Sequence, residues 1–386
     1  MAHAKLSPSS AIRWMNCPGS IVVSEGVPER RSPAAARGTV CHLMAEEALV
    51  TGKLPEHWLG QEVAADETTV VTVDQSMIDT VEHYVGTARE YIDGADEWAV
   101  EEKLPLLHLT GEDAHGTADL IVMRGNELQV HDLKAGHHEV QAENNPQLKI
   151  YALAAMCKYA IVGDFDTVLT VIHQPEHGGP KEWRYTVEEL DEFSGEVAAA
   201  AERVKEAISA RPVMSKGDWE WNYLRPSTDA CRFCPARATC PALKATVDEA
   251  VAVEFEALDD DTLGESMAKV ELVEAWCKEV RAETERRLLQ GKPVRGFKLV
   301  QGRRGPRKWG DASAAETVLL SALGEAAYDK SVISPVTAEK KLKNSNQWPA
   351  VAALITQSEG KPSVAPESDK RDAITSTSVI DEFEAV

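Results

Sequence analysis

The chain has 386 residues, 43% of them hydrophobic and 27% charged, which excludes a collagenous or wholly disordered protein and leaves room for a core plus one or two further modules. A formal net charge of −22 excludes an evenly basic surface that coats nucleic acid, but it permits a local basic groove and suits carboxylates gathered around divalent cations. No apolar run approaches the roughly 18 residues of a bilayer span, and the opening MAHAKLSPSS lacks the apolar stretch of a signal peptide, so a cytoplasmic protein with no membrane partner is expected.

In LSPSSAIRWMNCPG, Ser7 is a candidate N-cap, Pro8 suits the first helical position and Pro18-Gly19 is a stop, which puts Cys17 at the end of a short helix. GTVCHLMAEEALVTG repeats apolar residues at helical spacing and ends at Gly52, with His42 in its first turns. Another helix is expected around 75–92. The pattern then changes to period two: 97–104, 116–123 and 127–134 read as strands, the last two joined by the tight RGN turn into an antiparallel hairpin. Asn145 and Pro146 open a helix that runs through Tyr159. FDTVLTVIHQP is a further strand, and 187–210, rich in Ala and Glu, is expected to be a surface helix. A cysteine cluster at 231–240 precedes a long charged amphipathic helix over 262–290. GFKLVQGRRGPRKW reads as a small hairpin in which Arg303, Arg304, Arg307, Lys308 and Trp309 form either a phosphate-binding, base-stacking patch or an ordinary solvated turn. From about 358 the composition is too polar to bury apolar surface and order itself.

The chemistry concentrates in ELQVHDLKAGHHEVQAENNPQLKIYALAAM. On a strand, Asp132 and Lys134 share a face, and Asp119 on the preceding strand can approach Asp132 across the ladder. Carboxylates pressed together repel unless a cation sits between them, and hard oxygen ligands suit Mg²⁺ or Mn²⁺. An adjacent lysine can orient a water or stabilise developing phosphate charge, which points to phosphodiester hydrolysis. Gln147 and Tyr151 lie four apart on the next helix and could steady a substrate backbone, while His42 could supply a nitrogen ligand or a substrate contact. Taken singly, each has a duller reading, as a solvated strand edge, a satisfied helix residue or half-buried packing. Their order along the chain raises them above it.

GTVCHLMAEEAL, GTADLIV, VHDLKAG and QLKIYALA together resemble the successive motifs of the RecB-like branch of the PD-(D/E)XK nuclease superfamily, over roughly residues 1–245. The resemblance implies an α/β fold with a restriction-endonuclease-like αβββαβ core. It implies that His42, Asp119 and Asp132 hold the metal, joined by the carbonyl of Leu133, that Lys134 is the catalytic lysine, and that Gln147 and Tyr151 form the motif that contacts substrate. Glu101 and Glu102 on the first core strand alternate in face, so either could join the site, and His115 has no counterpart in the family pattern.

Cys231, Cys234 and Cys240 have the spacing of a metal centre lacking one ligand. The resemblance extends to iron-sulfur nucleases of the AddB and CRISPR-adaptation types, in which one cysteine precedes the core and three follow; it implies that Cys17 completes a 4Fe-4S cluster, with zinc as the competing occupant. Cys41, Cys157 and Cys277 fall in helical patterns as core or incidental thiols. The expected organisation is a nuclease core with its cysteine staple over 1–245, a connecting helical region over 246–292, a small C-terminal domain with the basic hairpin over 293–357 and an acidic tail over 358–386. The C-terminal part also resembles that of a phage-encoded protein family carrying the same core. The expected activity is therefore a metal-dependent DNA exonuclease of phage replication, recombination or host DNA breakdown, working in the bacterial cytoplasm with a recombinase, helicase or single-strand-binding partner. The rival expectations are a catalytically weak DNA-binding accessory protein and a zinc-stapled scaffold.

Overall fold

Local chemistry sets the first elements of the computed structural model, which describes residues 5–27, 32–252, 259–300, 312–328, 332–343 and 345–356. Pro8 opens a single 3₁₀ turn that runs into α1 (Ala11–Asn16), and Cys17 is its C-cap. After α2 (Ser20–Val23), α3 (Pro33–Thr51) begins earlier than its apolar spacing suggests, because the Ser32 side chain accepts the Ala35 N–H as an N-cap. Gly52 closes α3 in the left-handed region at φ 74°, where a side chain would be strained. A small hairpin of β1 (Glu62–Ala64) and β2 (Val70–Thr72) leads to α4 (Gln75–Ile92), capped by Asp74.

The central sheet follows, built from β3 (Glu97–Pro105), β4 (His115–Arg124), β5 (Glu127–Leu133), β6 (Thr167–His173) and β7 (Lys181–Thr186) in that spatial order. The short α5 (Leu107–Thr110) joins β3 to β4. Pairing is antiparallel except between β5 and β6, which run parallel. A parallel neighbour needs a crossover, and α6 (Pro146–Tyr159) supplies it. Its start is strongly specified: Pro146 occupies the first turn and the Asn145 side chain accepts the N–H groups of Gln147 and Leu148. The fold is thus mixed α/β around a mixed five-stranded sheet.

Alternation along the strands builds two cores, one on each face of the sheet. On one face Ile121, Met123, Leu128, Val130 and Ile172 pack with α1, α6 and α7 (Val187–Ala210). On the other, Leu120, Val122 and Leu133 pack with Val40 and Met44 of α3 and Met77 and Val81 of α4. Helix α7 is more than the surface helix its composition suggests: it buries Leu190, Phe193, Val197 and Val204 against the sheet layer, each worth roughly 1.5–3 kcal/mol when fully buried. Its N-terminus carries a reciprocal capping box between Thr186 and Glu189.

Beyond α7 lie α8 (Lys216–Tyr223), α9 (Thr228–Arg232), α10 (Pro241–Val251) and the long α11 (Asp260–Leu289), which buries only Leu272. The chain divides into two units, Met1–Val300 and Gln301–Val386. In the second, α12 (Ala312–Leu323), α13 (Pro335–Leu342) and α14 (Trp348–Ala352) are described. The expected patch at Arg303, Arg304, Arg307, Lys308 and Trp309 and the tail from 358 lie outside the described residues. Among the described residues, no helix is long and apolar enough to cross a membrane.

Candidate metal centre and its neighbours

The register of the first three core strands decides which acids meet. In the β3–β4 ladder, Val100 pairs with Leu120 and Glu102 with Ala118, so Glu101 stands opposite Asp119. Glu101 interrupts the pairing and takes a left-handed conformation at φ 49°, a strained choice for a non-glycine residue that costs about 1–3 kcal/mol. In the β4–β5 ladder Leu120 pairs with His131, and one further step brings Asp119 level with Asp132. Instead of continuing the ladder, Asp119 accepts the Leu133 N–H on Oδ2 at 2.6 Å. From α3, His42 places Nδ1 3.2 Å from Asp119 Oδ1 and 3.8 Å from Glu101 Oε1. These three side chains each offer a ligand atom within 4.8 Å of the others, a donor set of one imidazole and two carboxylates that fits a divalent cation.

Glu102 is turned away and pairs with Lys158 instead, so of the two candidate glutamates Glu101 is the one at the site. Asp132, expected as a metal ligand, is not part of that group of three among the described residues. It is clamped from the side: Gln147 Nε2 donates to its Oδ1 at 2.9 Å, and Lys134 Nζ lies 2.6 Å from its Oδ2 without a well-aligned hydrogen bond. Lys134 in turn donates to Gln147 Oε1 at 3.1 Å, closing a ring of three polar side chains. Leu133 contributes its backbone N–H to Asp119 and its side chain to the core under α3 and α4. Tyr151 is buried rather than open to a substrate: a Cβ at Gly116 would lie 2.7 Å from its ring. His115 lies exposed at the start of β4, opposite Pro105.

Burial is the largest influence on every charge here, and the neighbours decide the outcome. Desolvation would neutralise His42, yet Asp119, with Glu101 and Asp132 behind it, outweighs that and holds the imidazole well above its ordinary pKa. Asp119 is kept below the usual carboxylate range, against its burial, by His42 and the Leu133 N–H. Asp132 goes the other way: burial and the charge of Asp119 push it up, only partly offset by Lys134. Lys134 stays above the ordinary lysine value because Asp132 and Asp119 overcome its desolvation. The arrangement without a cation is therefore one proton-hungry carboxylate beside an ionised one.

Beneath the site lies a polar network absent from the sequence reading. His131 Nδ1 and His173 Nε2 are 3.0 Å apart, His131 reaches Gln129 at 3.3 Å, and Thr87 on α4 reaches His173 at 3.1 Å. Both imidazoles are almost fully buried. Little in the chain signals it, since His173 ends an ordinary apolar strand, VLTVIH.

The four cysteines gather at one place. Cys17 caps α1, Cys231 lies in α9, Cys234 in the turn after it, and Cys240 caps α10. Burial raises the thiols of Cys17 and Cys231 to about 11 and about 12, and the charges of the other cysteines add to both, which marks them as one cluster. Among the described residues no three of these sulfurs come within 4.8 Å of one another. The N-terminal segment is fastened there by backbone as well: the Arg225 N–H donates to Cys17 Sγ at 3.3 Å, and Gly19 donates to Tyr223 O at 2.9 Å. A Cβ at Gly19 would stand 2.8 Å from Leu224. A cleft of about 1740 Å³ opens beside these cysteines rather than over the acidic centre; Arg13, Arg211, Arg232, Lys278 and the exposed Phe233 line it, together with glutamates of α11.

One solved structure, titled "Crystal structure of SSO0001", is similar to this chain at 14% identity and a TM-score of 0.25, the match covering 57% of this chain and 92% of that one. The model of a family described as "Protein of unknown function (DUF2800)" matches residues 3–372, and the chain belongs to that family.

Proposed function

We propose that this chain is a metal-dependent DNA nuclease with a RecB-like PD-(D/E)XK core, stapled by a four-cysteine centre. The observation that carries the reading is the meeting of His42, Glu101 and Asp119 with the Asp132–Lys134–Gln147 ring at one end of the β4–β5 hairpin. The order of elements supports it: helices, three antiparallel strands, a crossover helix and a parallel strand correspond to αβββαβ.

His42, Glu101 and Asp119 would hold Mg²⁺ or Mn²⁺, and Asp132 would complete the set on releasing Lys134. The ion would supply Lewis-acid charge and lower the pKa of an attacking water. Lys134 remains an ammonium and can place that water and stabilise charge developing on a phosphate. Gln147 holds both Asp132 and Lys134 in register. Tyr151, buried below, supports Gln147 rather than gripping a strand. Arg13, Arg211, Arg232 and Lys278 of the cleft, with Phe233 at its surface, would contact an anionic strand with stacked bases, in keeping with action on DNA ends or single strands in phage replication, recombination or host DNA breakdown. A recombinase, helicase or single-strand-binding protein is the natural partner for such an activity.

Cys17, Cys231, Cys234 and Cys240 would hold a 4Fe-4S cluster whose role is to tie the N-terminal helix to the end of the core. Tetrahedral zinc, with Zn–S near 2.3 Å, draws thiolates to about 3.8 Å from one another.

The test compares wild type with Lys134→Ala on 5′-labelled and 3′-labelled linear and circular DNA, with Mg²⁺ and with Mn²⁺. Loss of the ammonium should lower cleavage on the order of 10²–10³-fold, the scale for removing one transition-state donor. Equal rates for the two proteins would dismiss the catalytic assignment.

A further inference from the structure

Tyr84, on α4, is a deeply buried polar side chain that the proposed mechanism leaves unused. It is 1% exposed, and its hydroxyl has no hydrogen-bond partner. A buried hydroxyl left unsatisfied is unfavourable and calls for an explanation, since the large majority of such groups are paired. Tyr84 belongs to the apolar core that includes Val40, Met44, Leu120 and Leu133, and packing in such a core does not call for the oxygen.

The position of the ring supplies the explanation. Tyr84 meets His173 edge-on, with ring centroids 4.9 Å apart. His173 pairs in register with Leu133, whose N–H is the donor to Asp119. Leu120, packed in the same core, directly follows Asp119, and Val40 and Met44 flank His42 on α3. The phenol therefore lies under the strand ends that present the acids. Burial raises its pKa first, and the charges of Asp119, Asp132 and Glu101 add to this.

We propose that Tyr84 is a positioning residue for the metal centre: its hydroxyl donates a hydrogen bond to the ligand set, so that Asp119 and Glu101 keep the orientation in which they share one cation. The partner is supplied when the centre is loaded, and the unsatisfied oxygen is the cost of having it ready. Groups that orient metal ligands in this way are typically worth 10–100-fold in metal affinity. The inference rests on the metal-binding half of the proposed function and goes beyond it by naming a residue that no motif includes.

The experiment measures Mn²⁺ binding to the full chain by the electron paramagnetic resonance of free Mn²⁺, for wild type, Tyr84→Phe and Glu101→Gln, together with the melting temperature of each protein free of divalent cations. Tyr84→Phe should bind Mn²⁺ 10–100-fold more weakly, while its cation-free melting temperature is unchanged or higher, because the orphan hydroxyl is gone. Equal Mn²⁺ affinity would overturn the inference, and so would weaker binding accompanied by a lower cation-free melting temperature, which is the signature of a packing role. Glu101→Gln identifies the site being read. If wild type takes up no Mn²⁺ that Glu101→Gln abolishes, the metal-centre reading itself fails and takes this inference with it.

Discussion

Acidification from pH 7.5 to 5 should weaken the fold through the buried histidine pair. His131 and His173 are 3.0 Å apart and almost fully buried, and both are kept neutral: burial drives His173 down to about 3, and burial with the neighbouring imidazole drives His131 well below its ordinary value. In the unfolded chain each takes up a proton near pH 6.5. Between that value and the folded pKa the unfolded state binds more protons, so stability falls as the pH falls. At pH 5, about 1.5 units below the unfolded pKa, His173 alone should account for about 2 kcal/mol, at 1.36 kcal/mol per unit. His42 acts in the opposite sense and in a different window. Its folded pKa is raised, so its contribution is fully present below pH 6.5 and is lost as the pH climbs through the folded value. A His173→Gln variant, whose amide can still meet Thr87 and His131, isolates the effect, because His42 and the carboxylates are common to both proteins. Guanidinium unfolding followed by tryptophan fluorescence at the two pH values should show wild type losing about 2 kcal/mol more than the variant. Equal losses would refute the claim that His173 is held neutral by burial.

Three further outcomes are expected. Gly116→Ala puts a methyl 2.7 Å from the Tyr151 ring and 3.0 Å from Pro8, and should lower the denaturant midpoint by the equivalent of about 1–3 kcal/mol with an unchanged slope. Thr186→Ala removes one half of the capping box of α7 and should destabilise by about 1 kcal/mol in the same assay. Cys17→Ser and Cys231→Ser should each abolish the visible absorption band of anaerobically purified protein and its bound iron; a band that survives either change would mean that the four cysteines do not share one centre.

Much of the fold was legible because helix ends are written in short-range chemistry. The Asn145-Pro146 start of α6 and the extents of α4 and α7 follow from caps and periodicity alone. What escaped was whatever lacks an apolar pattern. Strand β7, KEWRYT, lies at the sheet edge and buries only Tyr185, so it shows no alternation to read. At the site, strand alternation was enough to put Lys134 beside Asp132. It could not choose between Glu101 and Glu102, because the choice depends on a left-handed residue that breaks the ladder. The burial of Tyr151 escaped for a related reason: its close approach to Gly116 joins residues far apart in the chain.

The unfavourable features of the first unit gather at one end of its sheet, and that distribution is itself an argument. The two cores on either face are well packed, and α6 and α7 are capped as isolated rules would have them. Around Asp119, by contrast, the chain tolerates a strained Glu101, a carboxyl pushed up by burial at Asp132 and an orphan hydroxyl at Tyr84. Any one of these could be removed by a conservative substitution, and local consistency elsewhere shows that the sequence is capable of it. Strain and like charge concentrated at a single spot are what a binding centre looks like before its ligand arrives. On the proposed function, a divalent cation would relieve the repulsion and give the strained glutamate a role in one step, and it would then act as a folding ligand whose contribution grows with concentration relative to its dissociation constant.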